Sequence, residues 1–253
     1  MGEFVRLRFE GPVAEIQLAR PEKRNALTQA MWAALAQHAR TADAHGETKV
    51  IVLSGGESGA FAAGADMQEF EEIYATRARA EAASRQIAEA LDCLAGCRKP
   101  VLAAIEGACV GGGVSLALTA DLRIASATAR FAVTPARLGL LYPPADTRRL
   151  VQCLGAPAAK DLLFTGRLVD AAEALQLGLI NRLTGAGQAR ALAYSLASEI
   201  AAASQFSVRG AKRMIEAQAP EAELMELYLD AFGGKDFAEG YRAFLEKRPP
   251  RFV

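Results

Sequence analysis

Phe61-Ala62-Ala63-Gly64-Ala65-Asp66-Met67 and, further on, Cys109-Val110-Gly111-Gly112-Gly113-Val114-Ser115 organise everything else that can be said of this chain. Each is a glycine-containing turn opening an apolar segment, and each can aim a backbone N–H at one anion. Glycine lets the main chain approach a ligand with no side chain between them. The start of a helix after such a turn adds partial positive charge. Two amides converging on one oxygen form an oxyanion hole, which stabilises developing negative charge without any reactive side chain. A glycine triplet also permits tight strand-to-helix packing, so the second stretch by itself leaves both readings open.

Outward from these turns the pattern alternates strands and helices. Val50-Ile51-Val52-Leu53, ending at Ser54-Gly55-Gly56, is a continuous apolar run expected of a strand covered on both sides. Between Arg79 and Gly96 the apolar positions Ile87, Ala90, Leu91 and Leu94 follow helical spacing, and Lys99-Pro100 stops that helix before a strand over 101–105. The glycine triplet begins another helix. Further strands are expected over 122–125 and 130–133, and Asp170 with Glu173 forms a capping-box pattern before a short helix. Toward the N-terminus, Val5, Leu7 and Phe9, then Ala14, Ile16 and Leu18 beyond Gly11-Pro12, alternate with polar residues as a half-buried hairpin. A loop over 20–25 follows, and Thr28 caps a helix with Met31, Trp32, Leu35 and Ala39 on one face. After Thr184-Gly185-Ala186-Gly187 the pattern is helical, with segments over 188–217, 220–232 and 235–247. The reading is an α/β core over residues 1–186 and a helical region over 187–253, whose apolar faces need the core or another subunit as partner.

Composition narrows the function classes. With 253 residues and 51% hydrophobic content the chain can fill a large core. Lys plus Arg number 29 against 29 Asp plus Glu, so no net field recruits nucleic acid or an anionic membrane. Cys93, Cys97, Cys109 and Cys153 are joined by only two imidazoles, His38 and His45, too few ligands of the right spacing for a metal site. Free thiols, and a start Met1-Gly2-Glu3-Phe4-Val5-Arg6 without basic leader or apolar signal core, fit a soluble protein of a reducing cytoplasm. The longest uncharged run, 107–120, is too short to span a bilayer. No G-x-G-x-x-G follows a strand, so no nicotinamide cofactor is implied. Neither histidine lies near Ser115 in sequence, which disfavours a Ser-His hydrolase.

Arg20-Pro21 with Asn25-Ala26-Leu27, the 61–67 stretch, Glu106-Gly107 running into Gly111-Gly112-Gly113, Asp121-Leu122-Arg123-Ile124-Ala125, and Thr165-Gly166-Arg167 with residues 171–178 resemble, in order, the enoyl-CoA hydratase/isomerase (crotonase) family. The resemblance covers nearly the whole chain. It implies a crotonase-like spiral of β-β-α repeats with a C-terminal helical trimerisation region, assembled as a homotrimer or dimer of trimers. It implies an acyl-CoA thioester as partner, with coenzyme A entering as part of the substrate and no cofactor or metal bound permanently. By the same resemblance the amides of Ala65 and Gly112 polarise the thioester carbonyl, and Ala26, Ala63, Asp66 and Met67 line the CoA moiety. Lys23 and Arg24 are either a solvated loop pair or contacts to CoA phosphates through charge-assisted bonds. Phe244 and Lys247 resemble C-terminal contacts that reach a neighbouring subunit's adenine and phosphates, with core packing of Phe244 as the alternative.

The chain departs from the hydratases at two positions. Hydration needs two carboxyl groups near the hole, each typically contributing about 10²–10⁴-fold, and the resemblance places them where this chain has Ser115 and Pro135. The Thr134-Pro135 pair, Tyr142 and the run over 243–248 instead resemble the methylmalonyl-CoA decarboxylase branch of the family. Loss of carbon dioxide from a malonyl-type thioester produces the enolate directly, so the oxyanion hole carries most of the work. Tyr142 would then orient the substrate carboxylate, or else pack on Pro143 and Pro144. That branch has a histidine where this chain has Ala65, so one carboxylate-handling group is missing. Asp146 is the remaining nearby carboxylate: an acid or base for hydration or isomerisation, or an ion-pair or capping partner of the adjacent arginines. A non-catalytic acyl-CoA-binding trimer is the reading of another class.

Overall fold

The computed structural model describes residues 4–216 and 219–252, so the expectation placed on Met1-Gly2-Glu3 and the end of the 188–217 segment lie outside it. The N-terminal alternation closes as an antiparallel hairpin of β1 (Val5–Glu10) and β2 (Val13–Leu18), turning at Gly11. Half-burial holds for β1 alone. β2 is buried at every position, because β3 (Val50–Ser54) pairs parallel to its far edge and helices cover both faces. Glu15 and Gln17, which alternation puts on a wet face, are therefore inside. Glu15 is 1% exposed and accepts bonds from Ser54 Oγ (2.7 Å), Arg190 Nε and Nη2 (2.7 Å each) and Tyr194 Oη (3.1 Å). Burial pushes its carboxyl upward, but these donors and the Arg190 charge outweigh it and hold the group below the usual carboxylate range.

Between β2 and β3 runs α1 (Gln29–Ala44), whose first turn is capped by Thr28 Oγ1 accepting from the Met31 amide. Such a cap is typically worth ~1 kcal/mol. Beyond β3 come α2 (Phe70–Ile73) and α3 (Arg77–Ala95), then β4 (Val101–Ile105) and β5 (Ala108–Val110). The glycine triplet leads into α4 (Gly112–Ala117), followed by β6 (Leu122–Ser126) and β7 (Arg130–Ala132). Next are α5 (Pro144–Leu154), α6 (Ala156–Thr165), β8 (Val169–Asp170), α7 (Ala171–Gln176) and β9 (Arg182–Thr184). β4 and β5, like β6 and β7, put one strand of a repeat in each of two sheets. The larger has the order β1-β2-β3-β4-β6-β9, parallel beyond the hairpin, and the smaller has β5-β7-β8. The stepping of strand pairs with intervening helices is the spiral of a crotonase-like fold.

On one face of the large sheet, Leu35, Ala39, Leu91 and Leu94 of α1 and α3 pack with Ile16, Ile51, Leu53 and Ala103. Each fully buried aliphatic of that kind contributes about 1.5–3 kcal/mol. The opposite face is covered by α8 (Ala189–Ala202), whose Ala189, Ala193, Ala197 and Ala201 form a stripe against Val13, Val50, Val52, Leu102 and Ile124. The expected 186/187 division thus falls where the chain enters a helix that covers the sheet. The helical segment expected over 188–217 is broken at Ala203-Ser204. There Ser204 Oγ accepts from the Ser207 amide and starts α9 (Gln205–Glu216). α10 (Glu221–Gly233) and α11 (Lys235–Leu245) follow, carrying Tyr228, Phe232, Phe237 and Tyr241 more than half exposed in a chain of ring contacts. Among the described residues no helix is long and apolar enough to cross a membrane.

Candidate active site

The two glycine turns lie side by side because their backbones pair. The Ala62 amide donates to the Ala108 carbonyl (2.9 Å) and the Val110 amide to the Ala62 carbonyl (3.0 Å). Leu27 joins from the other flank: its amide donates to Gly64 O (2.8 Å) and its carbonyl accepts from the Asp66 amide (2.9 Å). Its Cδ1 stands only 3.5 Å from where a Cβ on Gly112 would be. Asn25, at φ 56°, fixes the 20–26 loop to this unit. Its Nδ2 reaches the carbonyls of Gly55, Ala60 and Phe61, and its Oδ1 accepts from the Arg20 amide.

Within this network the amides of Ala63 and Asp66 donate to Arg24 O and Leu27 O, and that of Gly111 donates to Ala132 O. Among the described residues the amides of Ala65 and Gly112 have no protein acceptor. Gly112 is the first residue of α4, where a helix leaves its N–H groups unpaired. The packing reading of the glycine triplet holds at two of its three positions. Gly111 sits at φ +51°, and a Cβ on Gly113 would fall 2.5 Å from Ala62 O, so both are required by the backbone. Gly112 supplies the free amide.

Beside that amide is a buried polar cluster. Ser115 lies three residues along α4 from Gly112, hence on the same helical face, and its Oγ is 2.7 Å from Tyr142 Oη. Burial pushes the Tyr142 phenol well above its usual range, so it is neutral at any physiological pH. Asp146, in the first turn of α5, is 2% exposed. Burial raises its carboxyl above the usual range, opposed by the Ser115 hydroxyl and by Arg149. Arg149 Nη1 holds Asp146 Oδ1 at 3.1 Å while Nη2 holds Asp92 Oδ1 at 2.7 Å. Tyr142 and Asp146 each thus have a polar partner, Ser115 and Arg149. The ion pair of Asp146 with an adjacent arginine, one of the expected alternatives, is present at Arg149, whereas Ser115 was not identifiable as the partner of Tyr142 from sequence, because it stands 27 residues before Tyr142 and no local pattern links them. Pro135 opens a short 3-10 turn and brings no carboxylate.

Around the first turn, Lys23 and Arg24 are exposed, Ala26 and Ala63 half-buried and Met67 exposed. Asp66 is held as a turn-former: Oδ2 accepts from Arg20 Nη1 (2.6 Å) and Oδ1 from the Gln68 amide (3.0 Å). Burial works against its ionised form, but the Gln68 amide, Arg20 and Lys23 prevail and set its carboxyl below the usual range. Phe244 is 81% exposed and Lys247 has φ 55°, at the end of α11; among the described residues no hydrogen bond or ion pair links either to the glycine turns. No group of three metal-ligating side chains occurs among the described residues.

The sequence pattern of the family described as Enoyl-CoA hydratase/isomerase matches residues 8–253. A crystal structure of an enoyl-CoA hydratase/isomerase family protein from Hyphomonas neptunium has a TM-score of 0.96 at 53% identity, covering 99% of this chain and 98% of that one. An enoyl-CoA hydratase/carnitine racemase from Magnetospirillum magneticum has a TM-score of 0.94 at 34% identity, covering 100% and 96%. "Probable enoyl-CoA hydratase echA8" of Mycobacterium bovis is 35% identical over 257 residues, 99% of this chain and 98% of that protein. Paired glycine turns, two free amides on adjoining segments and likeness along the full length make one conclusion: this chain belongs to the enoyl-CoA hydratase/isomerase family and is an enzyme acting on CoA thioesters.

Proposed function

We propose that the enzyme is a lyase that removes carbon dioxide from a malonyl-type CoA thioester. The observation that carries this reading is the pairing of two acceptor-free amides, at Ala65 and Gly112, with a neutral hydroxyl pair, Ser115 and Tyr142, in place of a hydratase's carboxylates. The amides hold the thioester oxygen as it becomes an enolate, each such donor being worth about 10²–10³ in rate. Neutral hydroxyls can donate to a substrate carboxylate that a glutamate would repel. With the carboxylate turned out of the thioester plane, the breaking C–C bond feeds its electrons into the carbonyl and no carbon-bound proton has to be removed. Lys23 and Arg24 would meet the CoA phosphates, and Ala26, Ala63, Asp66 and Met67 the adenine end. Phe244 and Lys247 would act on a neighbouring subunit's ligand in a homotrimer or dimer of trimers, where the exposed rings of α10 and α11 give apolar surface to bury.

A second reading, hydration or isomerisation with Asp146 as the acid or base, draws on the burial of that carboxyl beside Ser115, and the names of the relatives favour it. The two separate in a mass spectrum of the protein incubated with methylmalonyl-CoA and crotonyl-CoA. Loss of carbon dioxide from the first is expected. Gain of water by the second alone would install the Asp146 reading, and binding of both without change would make the protein a non-catalytic acyl-CoA binder. Tyr142→Phe removes one charge-assisted bond of about 1.5–3 kcal/mol, so decarboxylation should slow roughly 10- to 100-fold. An unchanged rate would return Tyr142 to a packing role.

A further inference from the structure

We propose that Arg20 is a positioning residue for the oxyanion hole: its guanidinium, acting through two hydrogen-bonded peptide groups, aims and polarises the Ala65 N–H. This rests on the reading that the Ala65 amide holds the thioester oxygen, and it names what strengthens that donor. In a trans peptide the C=O and the N–H point in opposite directions, and no cis peptide occurs among the described residues. A bond made to a carbonyl therefore fixes where the N–H of the same peptide points.

Arg20 Nη1 donates to the Ala26 carbonyl (2.9 Å). The N–H on the far side of that peptide belongs to Leu27 and donates to the Gly64 carbonyl (2.8 Å). The N–H on the far side of the Gly64 peptide is that of Ala65, which has no protein acceptor among the described residues. A cation thus heads a line of two aligned peptide dipoles that ends on the free donor. Hydrogen bonds in such a series polarise one another, each gaining roughly 10–30%.

The two amides of the hole are supported differently. Behind Gly112, the Gly111 carbonyl of the same peptide accepts from the Val114 and Ser115 amides (2.9 and 3.1 Å), so α4 itself stands at its back. Ala65 comes before Asp66, the cap of a 3-10 turn over Met67–Glu69, and so has no helix behind it. Arg20 fills that place. It is 9% exposed, with Cζ 5.4 Å from the centre of the Phe4 ring, where its field is screened less than in water. Two carboxylates oppose it: Nη1 also donates to Asp66 Oδ2 (2.6 Å), and the exposed Glu22 has Oε1 3.7 Å from Nε. Because Asp66 draws on the same nitrogen as Ala26, its charge sets how much of the polarisation reaches Ala65.

Difference infrared spectra of acetyl-CoA with a ¹³C-labelled carbonyl, bound at saturation, test this line without requiring turnover. Arg20→Gln removes the cation, so the carbonyl band should recover part of the way toward its solution frequency. Its kcat should fall about 4- to 8-fold, the share of one donor's ~10²–10³ that a polarisation of roughly 30% represents. Asp66→Asn keeps an acceptor for the Gln68 amide and frees Arg20 from its counter-charge, so the band should move to lower frequency than in the wild type. A residue that only pins the loop gives the opposite sign there, since both substitutions break the same ion pair. A band in Asp66→Asn that stays in place or moves back overturns the proposal, as does an unchanged band in a folded Arg20→Gln protein. Should Arg20→Gln fail to fold, Asp66→Asn decides alone. No displacement in the wild type would sink the oxyanion-hole reading and this proposal with it, whereas a wild-type displacement that neither substitution alters overturns the role of Arg20 only.

Discussion

Gly112→Pro is expected to slow turnover of the CoA thioester by about 10²–10³-fold, the typical contribution of one oxyanion-hole donor, with little change in fold. Proline is well tolerated at the first position of a helix, where the amide has no intrahelical partner, and Gly112 holds that position in α4. The substitution therefore deletes one N–H and little else. A side chain at 112 would first meet the ends of Trp32 (3.3 Å) and Leu27 (3.5 Å), which need yield only a few tenths of an ångström. Gly112→Ala keeps the amide and makes the same contacts, so it controls for them. A large gap in kcat is expected between proline and alanine variants of equal helix content. Equal rates would mean that the amide does not touch the reacting oxygen.

The largest effect on stability is expected from Arg190→Ala. Glu15 is 1% exposed, and Arg190 gives it two of its four hydrogen bonds as well as its only ion-pair partner among the described residues. Removing one member of a buried pair strands the other charge, at about 3–5 kcal/mol. Because the Arg190 side chain is 45% exposed, solvent screening puts the expectation near the low end, about 3 kcal/mol. Urea denaturation measures it, and Glu15→Gln in the same background should recover part of the loss. The pH dependence has a definite sign. Glu15 has a folded-state value below its ordinary 4.5, so its stabilisation is complete above that value and is lost as the pH falls through the folded-state value. The acid-side slope from this residue should vanish in Glu15→Gln.

Glu15 also shows where sequence reading stops. Its alternation with Ile16 and Leu18 has the period of a wet-faced strand, and what reverses that is a cation 175 residues away on α8. No local window contains that information. The partner of Ser115 is a similar case, since only the fold sets that serine against Tyr142. By contrast, each glycine turn by itself, the Thr28 cap and the Asp170 cap were legible, because each depends on residues a few positions apart. The glycine triplet admitted two readings in sequence. The fold bears out the packing one at Gly111 and Gly113 and leaves the Gly112 amide without a protein acceptor among the described residues. The break at Ala203-Ser204 was missed because the apolar spacing continues across it, and only the Ser204 side-chain bonds reveal the new helix start.

The Ala65 and Gly112 amides are both expected to bond to a thioester oxygen. Difference infrared spectroscopy of acetyl-CoA carrying a ¹³C-labelled carbonyl, bound to the wild type and to Gly112→Pro, tests it most directly. The carbonyl band should move to lower frequency on binding to the wild type, with most of that movement lost in the proline variant. A bound carbonyl at its solution frequency, or the same displacement in both proteins, would contradict it.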